Sequence, residues 1–142
     1  MSDEQQIFSD SGERADHLAQ IRDSDSALGR SLALVRFLRM GCPWDAKQTP
    51  STLRPYLLEE AHEVAEAIRG EDDEELASEL GDLLLNVAFQ VVLAEERDSF
   101  GPEDVVAGLE KKMRDRHPQL LSLIHISEPT RPRRQSRMPS SA

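Results

Sequence analysis

The chain has 142 residues, 17 basic and 27 acidic side chains, and a formal net charge of −10. That length suits one domain with a modest core, and the acidic balance excludes a general nucleic-acid or anionic-membrane surface. The single cysteine, Cys42, excludes a disulfide framework; with polar, acidic opening residues and no uninterrupted 18-residue apolar run, it places the chain in a reducing, cytoplasmic setting.

In chain order, residues 1–25 are charged with weak periodicity and read as a loose N-terminal arm. A first helix is predicted over 26–40, behind an Asp25/Ser26 cap, because Leu28, Leu32, Val35 and Phe37/Leu38 recur at helical spacing. "GCPWDAKQTP" follows as a breaker-rich loop, punctuated by Gly41, Pro43 and Pro50. A second helix over 51–68 carries Leu53, Leu57, Val64 and Ile68 on its buried face. "RGEDDEE" then supplies a stop at Gly70 and an acidic start that suits the dipole of a third helix over 73–97. "DSFGPED" breaks the chain again, with Pro102 placed as a first helical residue. The fourth helix carries Val105, Val106, Leu109 and Met113 and stops before Pro118. No strand-like alternation occurs, so residues 26–120 read as an all-α bundle of four helices.

The tail differs in kind. "LSLIHISEPTRPRRQSRMPSSA", 121–142, resembles the conceptual translation of a sequencing-library adapter: 121–131 match a transposase end and 136–142 a flow-cell end, in order and in register. These residues are expected to be non-native, disordered and outside the fold. Without them the chain carries 13 basic and 26 acidic residues, a net charge of −13.

The third helix poses the functional question. From Leu80 to Ala94 it is nearly all apolar, yet Asp82, Asn86 and Gln90 interrupt it every four residues, in line with Glu79. A helix greasy all round belongs in a core, where a carboxylate is costly, and the apolar neighbours of Asp82 leave it no polar face to share. On the second helix Glu60 and Glu63 stand three apart, as Glu79 and Asp82 do on the third, so each pair shares one face. Folding the hairpin near Glu71 sets both pairs ~15 Å from the turn at 1.5 Å per residue. Antiparallel packing then gathers four carboxylates, which either take up protons or recruit a hard divalent cation, Mg²⁺ or Mn²⁺. Asn86 continues the ridge as a neutral hydrogen-bonding group, whereas Gln90 reads as a satisfied core polar. Glu59, Glu66 and Glu71 read first as solvated surface.

Lys111, Lys112, Arg114 and Arg116 cluster in "KKMRDRHP" at the end of the fourth helix. A last helical turn accounts for one or two cations; four beside a carboxylate–metal site would complete a polyphosphate clamp.

Taken together, "GCPWDAKQTPSTLRPYLLEEAHEVAEAI", "ELGDLLLNVAFQ" and "KKMRDRHP" resemble the MazG family of nucleoside triphosphate pyrophosphohydrolases, over about residues 28–119. The resemblance implies an all-α, often dimeric enzyme that hydrolyses a nucleoside triphosphate to monophosphate and pyrophosphate with Mg²⁺. It places Glu60, Glu63, Glu79 and Asp82 as metal ligands, and Lys112 and Arg116 in a phosphate-binding stretch. Glu59 or Glu63 would orient the attacking water, and the residues do not choose between them. In the loop, Lys47 is a candidate substrate contact, and Trp44 either stacks on a base or packs the bundle end. Family members continue beyond "RHP", where this chain turns into its adapter-like tail.

Two other readings compete. One is a carboxylate di-iron bundle, because Glu59 and His62 form one Glu-x-x-His; that architecture needs the motif on two helices, and the third helix lacks it. The other is a non-catalytic acidic module that dimerises or binds a partner, in which Glu79 and Asp82 would be dispensable.

Overall fold

The computed structural model describes residues 11–23 and 25–121; the expectations for 1–10 and 122–142 fall outside them. The described residues form seven helices and no strand: α1 (Ser11–Asp23), α2 (Ala27–Gly41), α3 (Pro43–Ala46), α4 (Pro50–Arg69), α5 (Asp73–Glu96), α6 (Pro102–Arg116) and α7 (Pro118–Leu121). They divide into two compact units, the first ending at Leu93 and the second beginning at Ala94.

The four expected helices correspond to α2, α4, α5 and α6, and each boundary has a local cause. Ser26 caps α2, its hydroxyl accepting from the Gly29 N–H at 2.9 Å. Thr49 caps α4 reciprocally: its hydroxyl accepts from the Thr52 N–H at 3.2 Å, and the Thr52 hydroxyl accepts from the Thr49 N–H at 2.8 Å. Asp72 opens α5 by accepting from the N–H groups of Glu74 and Glu75, both at 3.1 Å. In the second unit Pro102 opens α6, and Asp104 accepts from the Gly101 N–H at 2.9 Å.

Two features depart from the sequence pattern. Residues 11–23, read as part of a loose arm, form helix α1: Glu, Arg, Ala, Leu and Gln are good helix formers even where no apolar stripe repeats. The loop after α2 contains the short helix α3. Arg39 Nη1 ties its end down by donating to the carbonyls of Asp45, Ala46 and Gln48 at 2.8, 2.7 and 3.2 Å. Helix α4 ends at Gly70, whose φ is −76°, and the α4–α5 hairpin turns at Glu71, as its register requires, with Glu71 at φ 55°. The left-handed region costs an L-residue roughly 1–2 kcal/mol. Glu71→Gly is therefore expected to raise stability by about 0.5–1 kcal/mol after the extra freedom of the unfolded chain is counted. A higher urea midpoint at unchanged m would show it; a lower midpoint would mean that the Glu71 side chain holds the turn.

The core of the first unit is Leu32 and Val35 from α2, Leu53 from α4, and Ala88, Phe89, Val91, Val92 and Leu93 from α5. On α4 the buried positions are Leu53, Val64 and Ala67, while Ile68, expected inside, is exposed; the face follows a 3–4 spacing that reaches 67 before the helix ends. Helices α4 and α5 run antiparallel, with Gln90 Nε2 donating to the Pro50 carbonyl at 3.3 Å.

By length and composition alone α5 is long and apolar enough to cross a membrane, although Asp82, Asn86 and Gln90 interrupt its apolar run. Its polar stripe faces α4 instead, as in the core helix of a globular unit. Its other side is bare: Leu80, Leu84 and Val87, at i, i+4 and i+7, are exposed.

Candidate active site

Leu53, Tyr56, Glu60 and Val64 follow one face of α4 at spacings of three and four. Buried Leu53 and Val64 seat that face on the core, which fixes the direction in which Glu60 leaves the helix. Opposite it on α5 stand Glu79 and Asp82. One carboxylate oxygen from each of Glu60, Glu79 and Asp82 lies within 4.8 Å of the other two.

Glu60 and Glu79 are half-buried and Asp82 is exposed. Asp82 was expected to have no access to the surface. It has access because its apolar neighbours Leu80, Leu84 and Leu85 are exposed as well. Partial burial raises the Glu60 carboxyl above its ordinary range, and the charges of Asp82, Glu79, Glu59 and Glu63 raise it further. Glu79 is raised in the same way, first by burial and then by Asp82, Glu63 and Glu75, against a hydrogen bond from Glu60. Glu63, the fourth expected ligand, is exposed and outside the triad, yet its charge is felt at both glutamates.

The triad offers only hard oxygen donors, the set that Mg²⁺ and Mn²⁺ prefer. Oxygens bound ~2.1 Å from one Mg²⁺ stand at most ~4.2 Å apart, so the three carboxylates need close only slightly to share an ion. His62 is exposed and takes no part in the triad, which leaves a di-iron arrangement without its histidine ligand.

Beside the triad is a cavity of about 140 Å³, which Glu60 and Asp82 also line. Its apolar wall is Leu53, Leu85 and Phe89. Its mouth is aromatic: Trp44 is 53 % exposed and meets Tyr56 edge-on, with centroids 6.0 Å apart and planes at 80°. Asn86, 7 % exposed, lines it too and donates from Nδ2 to the Asp82 carbonyl at 3.0 Å. Asp45 of α3 completes the lining.

Trp44, Glu60, Asp82 and Asn86 line the cavity, and Glu79 joins Glu60 and Asp82 beside it, all in the first unit. Lys47 is exposed and does not line the cavity, and Glu59 is exposed beside Glu60. Lys112 and Arg116 are exposed on α6 in the second unit. There Lys111 is engaged by Asp115 at 2.7 Å, and that bond holds the Asp115 carboxyl below its ordinary range. Asp45, Tyr56 and Arg39 were not singled out from the sequence. Tyr56 had a local signal, one turn before Glu60 on the same face; Asp45 and Arg39 had none, because α3 is positioned by contacts from another helix.

The all-α fold thus gathers three carboxylates of an antiparallel hairpin beside a cavity with aromatic residues at its edge, a donor set able to hold a hard divalent cation. Residues 48–121 match the MazG nucleotide pyrophosphohydrolase domain, and the chain belongs to that family. It is similar to the nucleoside triphosphate pyrophosphohydrolase/pyrophosphatase MazG of Thermotoga maritima, at 48 % identity over 80 residues, covering 56 % of this chain and 31 % of that protein. It is also similar to the nucleoside triphosphate pyrophosphohydrolase of Escherichia coli K12, at 42 % over 98 residues, covering 67 % and 37 %. A third relative is the uncharacterized protein YabN of Bacillus subtilis, at 39 % over 98 residues, covering 68 % and 20 %. The chain spans about a third of the length of the first curated relatives it matches. No solved structure matches it.

Proposed function

We propose that residues 26–120 hydrolyse a nucleoside triphosphate to the monophosphate and pyrophosphate, with Mg²⁺, or Mn²⁺ in its place, held by Glu60, Glu79 and Asp82 and joined by Glu63. The observation that carries this reading is the carboxylate triad set against a cavity that shares Glu60 and Asp82 with it. The relatives in Thermotoga maritima and Escherichia coli, nucleoside triphosphate pyrophosphohydrolases by name, support the bond assigned. Trp44 and Asn86 serve the base side of the substrate; Lys47, Lys112 and Arg116 serve its phosphates. Glu59 or Glu63 orients the attacking water and accepts its proton. A cation bound at the triad offsets the charge of the triphosphate and makes water easier to deprotonate. The protein works in the cytoplasm.

The test is product analysis by ³¹P NMR with MgCl₂ and a panel of nucleoside triphosphates. Monophosphate plus pyrophosphate, abolished by EDTA, is expected. Diphosphate plus orthophosphate would assign the wrong bond, and turnover that survives EDTA would remove the metal.

The bare stripe of Leu80, Leu84 and Val87 supports a homodimer closed over α5. Leu84→Glu is expected to convert a dimer into a monomer in sedimentation velocity. A monomeric wild type would end that part of the proposal.

A further inference from the structure

Asp45 is a second kind of carboxylate at this site. It is 9 % exposed and lines the cavity, but it does not belong to the triad. Among the described residues no side chain donates to its carboxylate. Its backbone carbonyl, by contrast, accepts from Arg39 at 2.8 Å and from the Gln48 N–H at 3.3 Å. A carboxylate only accepts hydrogen bonds, so a ligand group that reaches it must bring the donors. The fold fixes it there: Arg39 holds three carbonyls at the end of the four-residue helix that carries Asp45.

Asn86 donates one Nδ2 hydrogen to the Asp82 carbonyl and keeps the other, together with Oδ1, so it can match either sense of ligand group and the discrimination falls to Asp45. Around them stand the Trp44 and Tyr56 rings, Leu85 and Phe89. The cavity, about 140 Å³, is smaller than the ~300–1,000 Å³ of whole-ligand pockets, a size for one planar ring system rather than an entire nucleotide. Its chemistry calls for a flat group whose edge presents N–H donors.

We propose that Asp45 is the base-selecting residue of this site, and that the cavity favours a base with two adjacent N–H donors. This deepens the pyrophosphohydrolase reading and rests on it. Guanine fits best, its ring N–H and amino group standing side by side as the two carboxylate oxygens do. Uracil and thymine fit worst, because their one edge N–H is flanked by two carbonyls, at least one of which would face the Asp45 carboxylate. A site built to accept hydrogen bonds rejects a ligand that cannot donate them, since its own buried groups are left unpaired.

Two readouts separate this proposal from the reading beneath it. The first is binding, followed by the fluorescence of Trp44, the only tryptophan: GMP is expected to quench it with a Kd at least ~10-fold below that of UMP. The second is the ratio of kcat/KM for GTP over UTP in MgCl₂, expected to exceed ~10 in the wild type and to fall towards one in Asp45→Asn, whose amide can donate as well as accept. Equal binding of GMP and UMP by the wild type overturns the proposal, and this comparison needs no variant to fold. An Asp45→Asn variant with native circular dichroism that keeps the wild-type ratio overturns it too, leaving the pyrophosphohydrolase intact. If GMP is preferred but no triphosphate is hydrolysed, base selection stands and the activity falls.

Discussion

Replacing Asp82 by Asn is expected to lower kcat/KM for a nucleoside triphosphate by about 10²–10³, the size of effect seen when one electrostatic element of a reaction site is removed. The side chain is exposed, so the substitution disturbs no packing. Asn has nearly the shape of Asp, and what it loses is the charge that makes an oxygen a good ligand for a hard cation. Far-UV circular dichroism should not change. Glu66→Gln is the matched control: Glu66 is an exposed acid on the same hairpin, paired with Arg69 at 3.2 Å and remote in role from the triad, and its change should stay within ~2-fold. If Asp82→Asn and Glu66→Gln behave alike, the triad is a surface cluster, and the chain is better read as a non-catalytic acidic module.

The triad was legible because hairpin register is arithmetic. Glu60 and Glu63 lie as far before the turn as Glu79 and Asp82 lie after it, and the contact of Gln90 with Pro50 at the far end of the same hairpin keeps that count. The Ser26 cap was legible for a similar reason, since it acts on an N–H group three residues away; Thr49 and Asp72 act over equally short spans but were not singled out. The cavity was less so. Trp44 and Asn86 could be named, but Asp45 gains its place only through Arg39, six residues earlier on another helix, which no short-range pattern encodes. The turn near Glu71 was legible from the same count, but not that Glu71 rather than Gly70 takes the left-handed conformation, since glycine is the usual residue there. Nor does an all-round apolar helix say where its cover comes from. In α5 one side finds Leu53 and Val35 of this chain, and the other, at Leu80, Leu84 and Val87, finds nothing among the described residues.

Mg²⁺ should stabilise this protein, and by more at pH 8 than at pH 5. The Glu60 and Glu79 carboxyls are raised in the folded chain, by burial and then by their acidic neighbours. Between the ordinary carboxylate value and the raised one, the native state therefore holds more protons than the unfolded state. Stability in the absence of metal must then fall as pH rises through that window and level off above it. A divalent cation reverses the sign, because it binds only where the carboxylates have come together and only when they are deprotonated. At a hundred times Kd it adds about 2.7 kcal/mol, worth on the order of 10 °C in melting temperature for a domain of this size. Glu79→Gln removes one of the repelling charges and one ligand together. It should melt higher than wild type in EDTA at pH 8, show a flatter pH profile, and lose most of the Mg²⁺ shift. Thermal melts from pH 5 to 8, in EDTA, in MgCl₂ and in NaCl of equal ionic strength, decide the matter. A shift that NaCl reproduces is screening of a −10 chain. One specific to Mg²⁺ and lost in Glu79→Gln is binding at the triad.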